Sequence, residues 1–254
     1  MRDPIAEYDR TAATYPVHRK ADPRIEARVH AALGDARTVL NVGAGTGSYE
    51  PLDRHVVAVE PSKTMRSKRP AHLSPALIGT AANLPFDDKA FDAAMAMITV
   101  HHWPDLQVGL AEMRRVTRGP VVIMAFDPSA ETEFWLSDYL PEMQVVSGQR
   151  DPSMRRIADG LGGDCRVEPI KVALDCSDGF QGAWYGRPEA LLDPEVRKSQ
   201  SSWAFLPGGA EARAMAALKA DLESGAWDRK YGHLRTQPEI KSQLRLIISQ
   251  GEPR

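Results

Sequence analysis

The stretch Val39-Leu-Asn-Val-Gly-Ala-Gly-Thr-Gly-Ser-Tyr49 decides the fold of this chain. Its first four residues predict a short buried strand, and the three glycines that follow within five positions predict a tight turn into a helix. Because glycine has no Cβ, a ligand can lie directly against the backbone of such a turn. A second apolar run, residues 55–59, ends at the acid Glu60. A glycine turn after one parallel strand and a carboxylate after the next can hold a ribose between them.

Composition excludes several classes of protein. The 254 residues are 43% apolar and carry a formal net charge of −2, which argues against a dedicated nucleic-acid binder because such proteins carry a basic excess. The only two cysteines, Cys165 and Cys176, are too few for a disulfide framework or a zinc site. No run approaches the ~18 apolar residues of a membrane span, and the first residues lack a signal-peptide core. We expect a cytoplasmic protein without a metal, a nucleic-acid partner or a membrane partner, present as a monomer or homodimer.

Strand and helix signals alternate from residue 24 to residue 125, which predicts a parallel sheet covered on both faces. Predicted strands cover residues 39–42, 55–60, 76–78, 91–98, 121–125, 166–174 and 244–248. Predicted helices cover residues 24–33, 49–53, 62–69, 105–117, 131–141, 151–161, 188–205 and 209–224. The basic run 66–69 is interpreted as a solvated helix end. The pattern therefore predicts an α/β fold with a Rossmann-like, seven-stranded, mostly parallel sheet, flanked by helices and carrying helical embellishments in its C-terminal part.

The spacing of the glycines distinguishes two kinds of nucleoside cofactor. A dinucleotide fingerprint places its third glycine three positions after the second, whereas here Gly47 comes one position early and Ser48 follows. S-adenosylmethionine has no phosphate, and it needs room beside the glycine backbone and an acid for its ribose, which Glu60 can supply. The pattern favours S-adenosylmethionine. A nicotinamide-dependent oxidoreductase is the less favoured alternative, since no Tyr-x-x-x-Lys pair follows the fifth predicted strand.

The ordered motifs resemble those of the class I S-adenosylmethionine-dependent methyltransferases, in particular the type 11 group. The matching segments are Val39–Gly47, Val57–Pro61, Leu84-Pro85-Phe86, Phe91-Asp92, His101-His102-Trp103 and Glu112–Val116. The resemblance implies an enzyme that moves a methyl group from S-adenosylmethionine to an oxygen, nitrogen or carbon nucleophile of a small-molecule acceptor. A protein of the same fold that binds the cofactor and transfers nothing is the alternative.

The resemblance also implies a division of the chain. Residues 1–34 would form an N-terminal lid and first helix, and residues 35–254 the methyltransferase domain. Within that domain, residues 130–235 would supply the elements of an acceptor pocket.

The same resemblance implies which residues bind the cofactor: Tyr15, Arg19, Gly43, Ala44, Gly45, Gly47, Glu60, Pro61, Met65, Ala81, Ala82 and Ile98. Tyr15 and Arg19 would close over the methionine carboxylate, and Glu60 would bind the ribose hydroxyls. Related enzymes often place an acid against the adenine amine, but residues 80–83 contain none. Backbone groups, Thr80 or Asn83 would then have to recognise adenine.

His101 and His102 are the candidate catalytic residues, because they follow the fourth predicted strand at the edge where such sheets bind ligands. Imidazole titrates in the range that suits a base. Two adjacent residues of an extended segment cannot both face the pocket, so one would be structural, and the pair could instead shape the cofactor site.

Further residues of the C-terminal part have two interpretations each. The aromatic residues Trp135, Tyr139, Trp184 and Tyr185 predict either core packing or the wall of an apolar acceptor pocket. Asp175 and Asp178 are candidate acceptor-binding acids, and Asp178 could equally serve the turn before Gly179.

Overall fold

A computed structural model describes residues 19–250 except residue 163, and the side chains at 131–133 are also outside the description. Tyr15 and the predicted lid over residues 1–18 therefore lie outside the described residues. The strands are β1 Thr38–Val42, β2 His55–Val59, β3 Ala93–Met97, β4 Val121–Phe126, β5 Cys165–Ala173 and β6 Glu239–Ser249. The α-helices are α1 Pro23–Ala32, α2 Lys63–Ser67, α3 Leu106–Val116, α4 Glu142–Arg150, α5 Met154–Gly160, α6 Pro194–Lys198, α7 Ala210–Glu223 and α8 Ala226–Tyr231.

The strands form a single sheet in the order β2-β1-β3-β4-β6-β5. β1 lies parallel to β2 and β3, and β3 lies parallel to β4. β6 is antiparallel to both β4 and β5. The predicted α/β class with a mostly parallel sheet is confirmed. Because β1 has β2 on one side and β3 on the other, a crevice opens between the carboxyl ends of β1 and β3, where such sheets bind ligands.

The prediction of seven strands is wrong, because the sheet of the described residues has six. The strand predicted at 76–78 is reduced to a single parallel bridge between Val59 and Leu77. Pro75 has no amide hydrogen to donate to a ladder. Leu77 and Ile78 are 48% and 77% exposed, so the segment does not bury the apolar face that would hold a strand in place.

Three helix predictions also differ from the structure. No helix forms over residues 49–53, where Tyr49 has a φ of +67°. The helices predicted over 131–141 and 188–205 are divided into short helical pieces, and several of them begin at prolines: the 3₁₀-helices Pro128–Glu133 and Pro188–Leu192, and α6. Proline is favoured in a first turn and cannot continue a helix that precedes it. Helix α4 lies where the sequence pattern predicted none.

Two clusters of buried apolar side chains cover the two faces of the sheet. Neighbouring residues of β1 enter different clusters, Val39 with α1 and Leu40 with α3, because successive side chains of a strand point to opposite faces. Most of the large aromatic residues of the C-terminal part belong to the core, whereas Phe205 is 41% exposed. Trp135 donates its Nε1 hydrogen to the carbonyl of Tyr185 (2.9 Å), and both side chains are buried.

In the part of the chain that the structure describes, no helix combines the length and the apolar character that a membrane crossing requires.

Candidate active site

The glycine turn lies directly over the crevice. Gly43, Gly45 and Gly47 have φ values of +68°, +53° and +94°. Residues other than glycine rarely adopt these positive backbone angles. The amides of Gly43 and Ala44 donate to the carbonyl of Val59 (2.9 and 3.0 Å). A Cβ added at Gly43 would lie 2.3 Å from Oγ1 of Thr99. The turn therefore requires glycine both for its backbone and for its approach to the end of β3.

Glu60 joins this turn to the next helix. Its carboxylate is buried and accepts one backbone hydrogen bond on each oxygen, from Gly45 to Oε2 and from Ser62 to Oε1 (both 2.8 Å). Ser62 in turn caps α2 by accepting from the amide of Met65. The carboxylate is therefore held in one orientation at the carboxyl end of β2.

A buried ion pair supports the turn from the side opposite the crevice. Arg69 and Glu50 pair at 2.8 Å with side chains only 3% and 2% exposed, and Glu50 also accepts from Asn41 (2.8 Å). Arg66 donates to the carbonyls of Glu60 and Pro61 (both 2.6 Å). The interpretation of residues 66–69 as a solvated helix end is therefore wrong for these two arginines, which stabilise the glycine turn and the end of β2.

The first of two adjoining cavities lies between the glycine turn and α3, and we call it the apolar cavity. It is bounded by Gly43, Glu60, Ala81, Thr99, Trp103 and Asp105, and it encloses about 770 Å³ including its mouth. No lysine or arginine of the described residues lines it, while two carboxylates do. This lining suits a nucleoside with a nearby positive charge, and it does not suit a pyrophosphate.

The second cavity, which we call the polar cavity, lies between β3 and the C-terminal part of the chain. It is bounded by Arg19, His101, Phe126, Asp151, Phe180 and Gln243, and it encloses about 640 Å³ including its mouth. Further carboxamide and hydroxyl groups complete its wall: Ser147, Gln181, Gln200, Ser201 and Ser202. His102 lines both cavities, so the two spaces meet at this side chain.

The structure brings most of the predicted cofactor-binding residues to these two cavities. Those on the apolar cavity are Gly43, Glu60, Pro61, Ala81 and Ala82. Arg19 and Ile98 line the polar cavity. Gly45 binds Glu60, and Met65 is buried beneath the turn. Ala44 is buried within the turn, and Gly47 lies on its outer side, where a Cβ would meet Leu73 at 2.3 Å.

Ile98 has a strained backbone at the end of β3. Its φ is +53°, a conformation that is a rare outlier for a β-branched residue. The amide of Ile98 donates to the carbonyl of Met124 (2.7 Å), which holds it against the neighbouring strand. Strain of this kind is concentrated at functional sites, and here it lies on the wall of the polar cavity.

Both candidate catalytic histidines line the polar cavity. The expectation that only one of them could do so is wrong, because residues 100–102 form a 3₁₀ turn rather than an extended segment. Their ring centroids are 4.0 Å apart. Burial and the nearby Arg150 lower the pKa of His102 to about 3. Burial, His102 and Arg150 likewise hold the pKa of His101 well below its usual value, so both rings are neutral at pH 7, and each is a weaker base than a free imidazole.

Asp151 is a site residue that the sequence did not indicate. It ends α4 inside the polar cavity, with Oδ1 3.8 Å from Nδ1 of His101. Burial raises the pKa of Asp151 to about 7, and Arg150 opposes this rise only in part. The sequence pattern places Asp151 at the start of the helix predicted over 151–161, whereas in the structure it caps the end of α4, which the pattern does not predict. The sequence signal of Asp151 is only that of a polar residue before Pro152, which is common in turns.

The raised pKa of Asp151 predicts a pH-dependent stability difference between the wild type and Asp151→Asn. Between its usual pKa of 3.8 and about 7, the folded protein retains a proton that the unfolded chain has lost, so this group lowers stability as pH rises. The variant has no carboxyl group at this position and therefore lacks this pH-dependent loss of stability. Its free energy of unfolding relative to the wild type should increase with pH across this window, by at most about 1.4 kcal/mol per unit. Denaturant titrations from pH 4 to 8 measure the difference.

Asp159→Asn is the matched control, because this aspartate lies on α5 with a side chain 64% exposed. We expect its stability to follow that of the wild type across the same pH range. A stability difference for Asp151→Asn that does not vary with pH would contradict the placement of its carboxyl.

The two candidate acceptor-binding acids have separate roles. Asp175 is exposed and pairs with Arg24 (2.6 Å). Asp178 is 2% exposed and uses both carboxylate oxygens, accepting from the hydroxyl of Tyr49 and from Nε of Arg19 (both 2.6 Å). Among the described residues, no group of three or more histidine, cysteine, aspartate or glutamate side chains is arranged to hold a metal ion.

Known proteins resemble this chain in sequence and in fold. A family model described as a methyltransferase domain matches residues 40–123. An uncharacterized methyltransferase of Mycobacterium tuberculosis is 35% identical over 173 residues, which are 65% of this chain and 65% of that protein, just under two thirds of its length. A demethylmenaquinone methyltransferase of Mycolicibacterium paratuberculosis is 31% identical over 73% of this chain and 84% of its own length. A solved structure from Anabaena variabilis, described as a methyltransferase from an antibiotic biosynthesis pathway, has a TM-score of 0.82 and 30% identity, covering 91% of this chain and 98% of that one.

Proposed function

The chain belongs to the family of S-adenosylmethionine-dependent methyltransferases, and we propose that it transfers a methyl group from this cofactor to a nucleophile of a small polar molecule. The observation that carries the proposal is the meeting of two different cavities at His102. One suits a nucleoside without phosphate, and the other suits a polar acceptor. A transfer reaction requires two such sites in contact, because the reacting atoms must lie about 3–3.5 Å apart.

The residues of the apolar cavity fit the cofactor. The buried carboxylate of Glu60 would accept hydrogen bonds from the two ribose hydroxyls, and the half-buried backbone at Gly43, which has no side chain, would leave room for the chain that leads to the sulfur. When bound, S-adenosylmethionine supplies a methyl group that its positive sulfur already activates. Glu60 and Asp105 give the cavity a negative character that favours this positive charge.

We propose that Asp105 takes the place of the adenine-binding acid that residues 80–83 lack. It lies on the apolar cavity beside Ala81 and caps α3, its Oδ1 accepting from Gln107 and Val108. Asp105→Ser keeps a helix cap and removes the carboxylate. We expect the Kd for S-adenosylhomocysteine to rise about tenfold, as loss of one hydrogen bond to a charged group implies. Calorimetry measures it, and an unchanged Kd with an intact fold would contradict this role.

The polar cavity would hold the acceptor. Eight of its lining residues lie between 147 and 202, which supports the proposal that residues 130–235 supply the acceptor pocket. Its carboxamides and hydroxyls are groups that fix the orientation of a polar ligand, while Phe126 and Phe180 offer an apolar surface. The nucleophile would be an oxygen, nitrogen or carbon atom directed towards His102.

His101 and His102 are our candidates for accepting a proton from the nucleophile. Nδ1 of His101 is directed towards Asp151, so Nε2 is the nitrogen that would take the proton. The cofactor, when bound, would supply the methyl group to the nucleophile and leave as S-adenosylhomocysteine. The hydrogen of the nucleophile would pass to imidazole, and because the lowered pKa of both rings opposes this transfer, it requires the ionised form of Asp151 to offset the new positive charge.

The test of methyl transfer is the release of S-adenosylhomocysteine when the full chain is mixed with S-adenosylmethionine and a panel of small polar phenols, amines and carboxylates. The proposal predicts release with at least one polar compound, and none with matched hydrocarbons. Tight cofactor binding without release across the panel would favour the alternative of a binding protein that transfers nothing.

A further inference from the structure

We propose that Asp178 and Tyr49 are positioning residues, which hold the guanidinium of Arg19 where it meets the amino-acid end of the bound cofactor. This inference rests on the proposed function. In this arrangement a carboxylate from the C-terminal part of the chain orients an arginine at the cofactor site, which the glycine turn also forms.

Asp178 is the centre of the arrangement. Its carboxylate is almost wholly buried, and each oxygen has its own donor, the hydroxyl of Tyr49 and Nε of Arg19, both at 2.6 Å. The backbones of Arg19 and Asp178 also meet in an antiparallel bridge. The Arg19 side chain is only 8% exposed. A buried charged pair of this kind is stable only when both groups have good geometry and further hydrogen bonds, which Tyr49 supplies.

Tyr49 connects the pair to the glycine turn, which ends two residues before it. Its φ of +67° is a strained conformation for a residue other than glycine. Burial and the adjacent Asp178 raise the pKa of Tyr49 well above its usual value, so the hydroxyl remains a donor across the physiological range. The strained backbone therefore places a permanent hydrogen-bond donor against Asp178.

The position of Arg19 indicates its ligand. It lines the polar cavity together with Ile98 and His101, and it also borders the groove formed by residues 46–50 on the outer side of the glycine turn. A cofactor with its ribose at Glu60 and its sulfur near His102 would direct its carboxylate towards this side of the turn. A guanidinium can bind a carboxylate with two parallel hydrogen bonds.

Fixing the arginine in advance makes this contact more favourable. A free arginine side chain loses rotamer entropy when it is immobilised, and the bond from Nε to Asp178 restricts the side chain before the ligand arrives. The same loop continues into Phe180 and Gln181, which line the polar cavity. Asp178 therefore couples the wall of the acceptor cavity to the cofactor site.

The test compares two ligands by calorimetry on the full chain. S-adenosylhomocysteine carries the amino-acid carboxylate, and 5′-methylthioadenosine shares its adenosine and sulfur but lacks that group. We expect Asp178→Asn to weaken S-adenosylhomocysteine binding about tenfold while the affinity for 5′-methylthioadenosine stays within about twofold. Tyr49→Phe, which removes only the hydroxyl, should act in the same direction with a smaller factor. Asp175→Asn is the matched control, since Asp175 lies on the same loop but is exposed and paired with Arg24, and it should change neither affinity.

Each outcome decides between the proposals. Wild-type protein that binds neither ligand would overturn the proposed function itself. Equal losses for both ligands in Asp178→Asn, or no loss, would overturn the positioning role and leave the proposed function intact. If Asp178→Asn does not fold, Tyr49→Phe decides, and an unchanged ratio of the two affinities in that variant would overturn the inference.

Discussion

Replacing Glu60 by glutamine is expected to raise the Kd for S-adenosylhomocysteine by about 10- to 100-fold. Each oxygen of the wild-type carboxylate already accepts one backbone hydrogen bond and has further lone pairs for the ribose hydroxyls. A glutamine would turn its amide nitrogen towards one of these backbone donors and lose the negative charge. Hydrogen bonds to charged groups contribute about 1.5–3 kcal/mol each, and ~1.4 kcal/mol corresponds to a tenfold change.

Glu112→Gln is the matched control for this variant. Glu112 also accepts from a backbone amide, that of Leu84 at 2.9 Å, and pairs with Arg115, but it does not line the apolar cavity. Both substitutions should lower the melting temperature, because each disturbs a carboxylate bonded to the backbone. Only Glu60→Gln should weaken binding, and equal Kd changes in the two variants would contradict the role of Glu60.

Gly43→Ala is expected to abolish measurable cofactor binding and to lower stability. The new Cβ would meet Thr99 Oγ1 at 2.3 Å and Cγ2 at 2.9 Å, and the backbone would keep a positive φ that is strained for alanine. Strain of this kind costs about 1–3 kcal/mol, and overpacking adds about as much. The turn must move to relieve the contact, and this movement displaces the backbone that the cofactor would lie against. Calorimetry and denaturant unfolding measure the two effects.

Gly34→Ala is the control that separates the effect of backbone strain from the effect of the contact with Thr99. Gly34 has a similar φ of +59°, and nothing lies within 4 Å of an added Cβ, so this variant should lose stability through its backbone alone and retain binding. Adding Thr99→Ala to Gly43→Ala removes the two closest atoms and should recover part of the binding. If Gly34→Ala and Gly43→Ala behave alike, the close approach of the turn to β3 is not what determines binding.

The elements that sequence reasoning found correctly are those with local signals. The strands β1 and β2 are short apolar runs next to glycine or an acid. The helices predicted over 62–69 and 105–117 are found as α2 and α3, which Ser62 and Asp105 cap by accepting backbone hydrogen bonds. Local chemistry of this kind is complete within a few residues, so a single sequence reveals it.

The features that sequence reasoning missed depend on contacts between distant residues. Asp178 lies 129 positions from Tyr49 and 159 from Arg19. The spacing of apolar and polar residues along the chain cannot reveal a contact between residues so far apart. Asp151 approaches His101 across 50 positions and follows a helix with little amphipathic character. The charged residues at 66–69 resemble a solvated helix end in sequence, and only the fold shows that Arg69 is buried against Glu50. The segment at 76–78 has apolar residues, but Leu77 and Ile78 stay exposed among the described residues and so bury little apolar surface.

Whether the chain binds S-adenosylmethionine rather than a nicotinamide dinucleotide is tested most directly by calorimetric titration. The full chain is titrated with S-adenosylhomocysteine and, separately, with NADH. We expect saturable binding of one S-adenosylhomocysteine per chain, weakened by Glu60→Gln and unaffected by Glu112→Gln, with no binding of NADH. Binding of NADH in preference to S-adenosylhomocysteine, or no binding of S-adenosylhomocysteine to the folded wild type, would contradict this expectation.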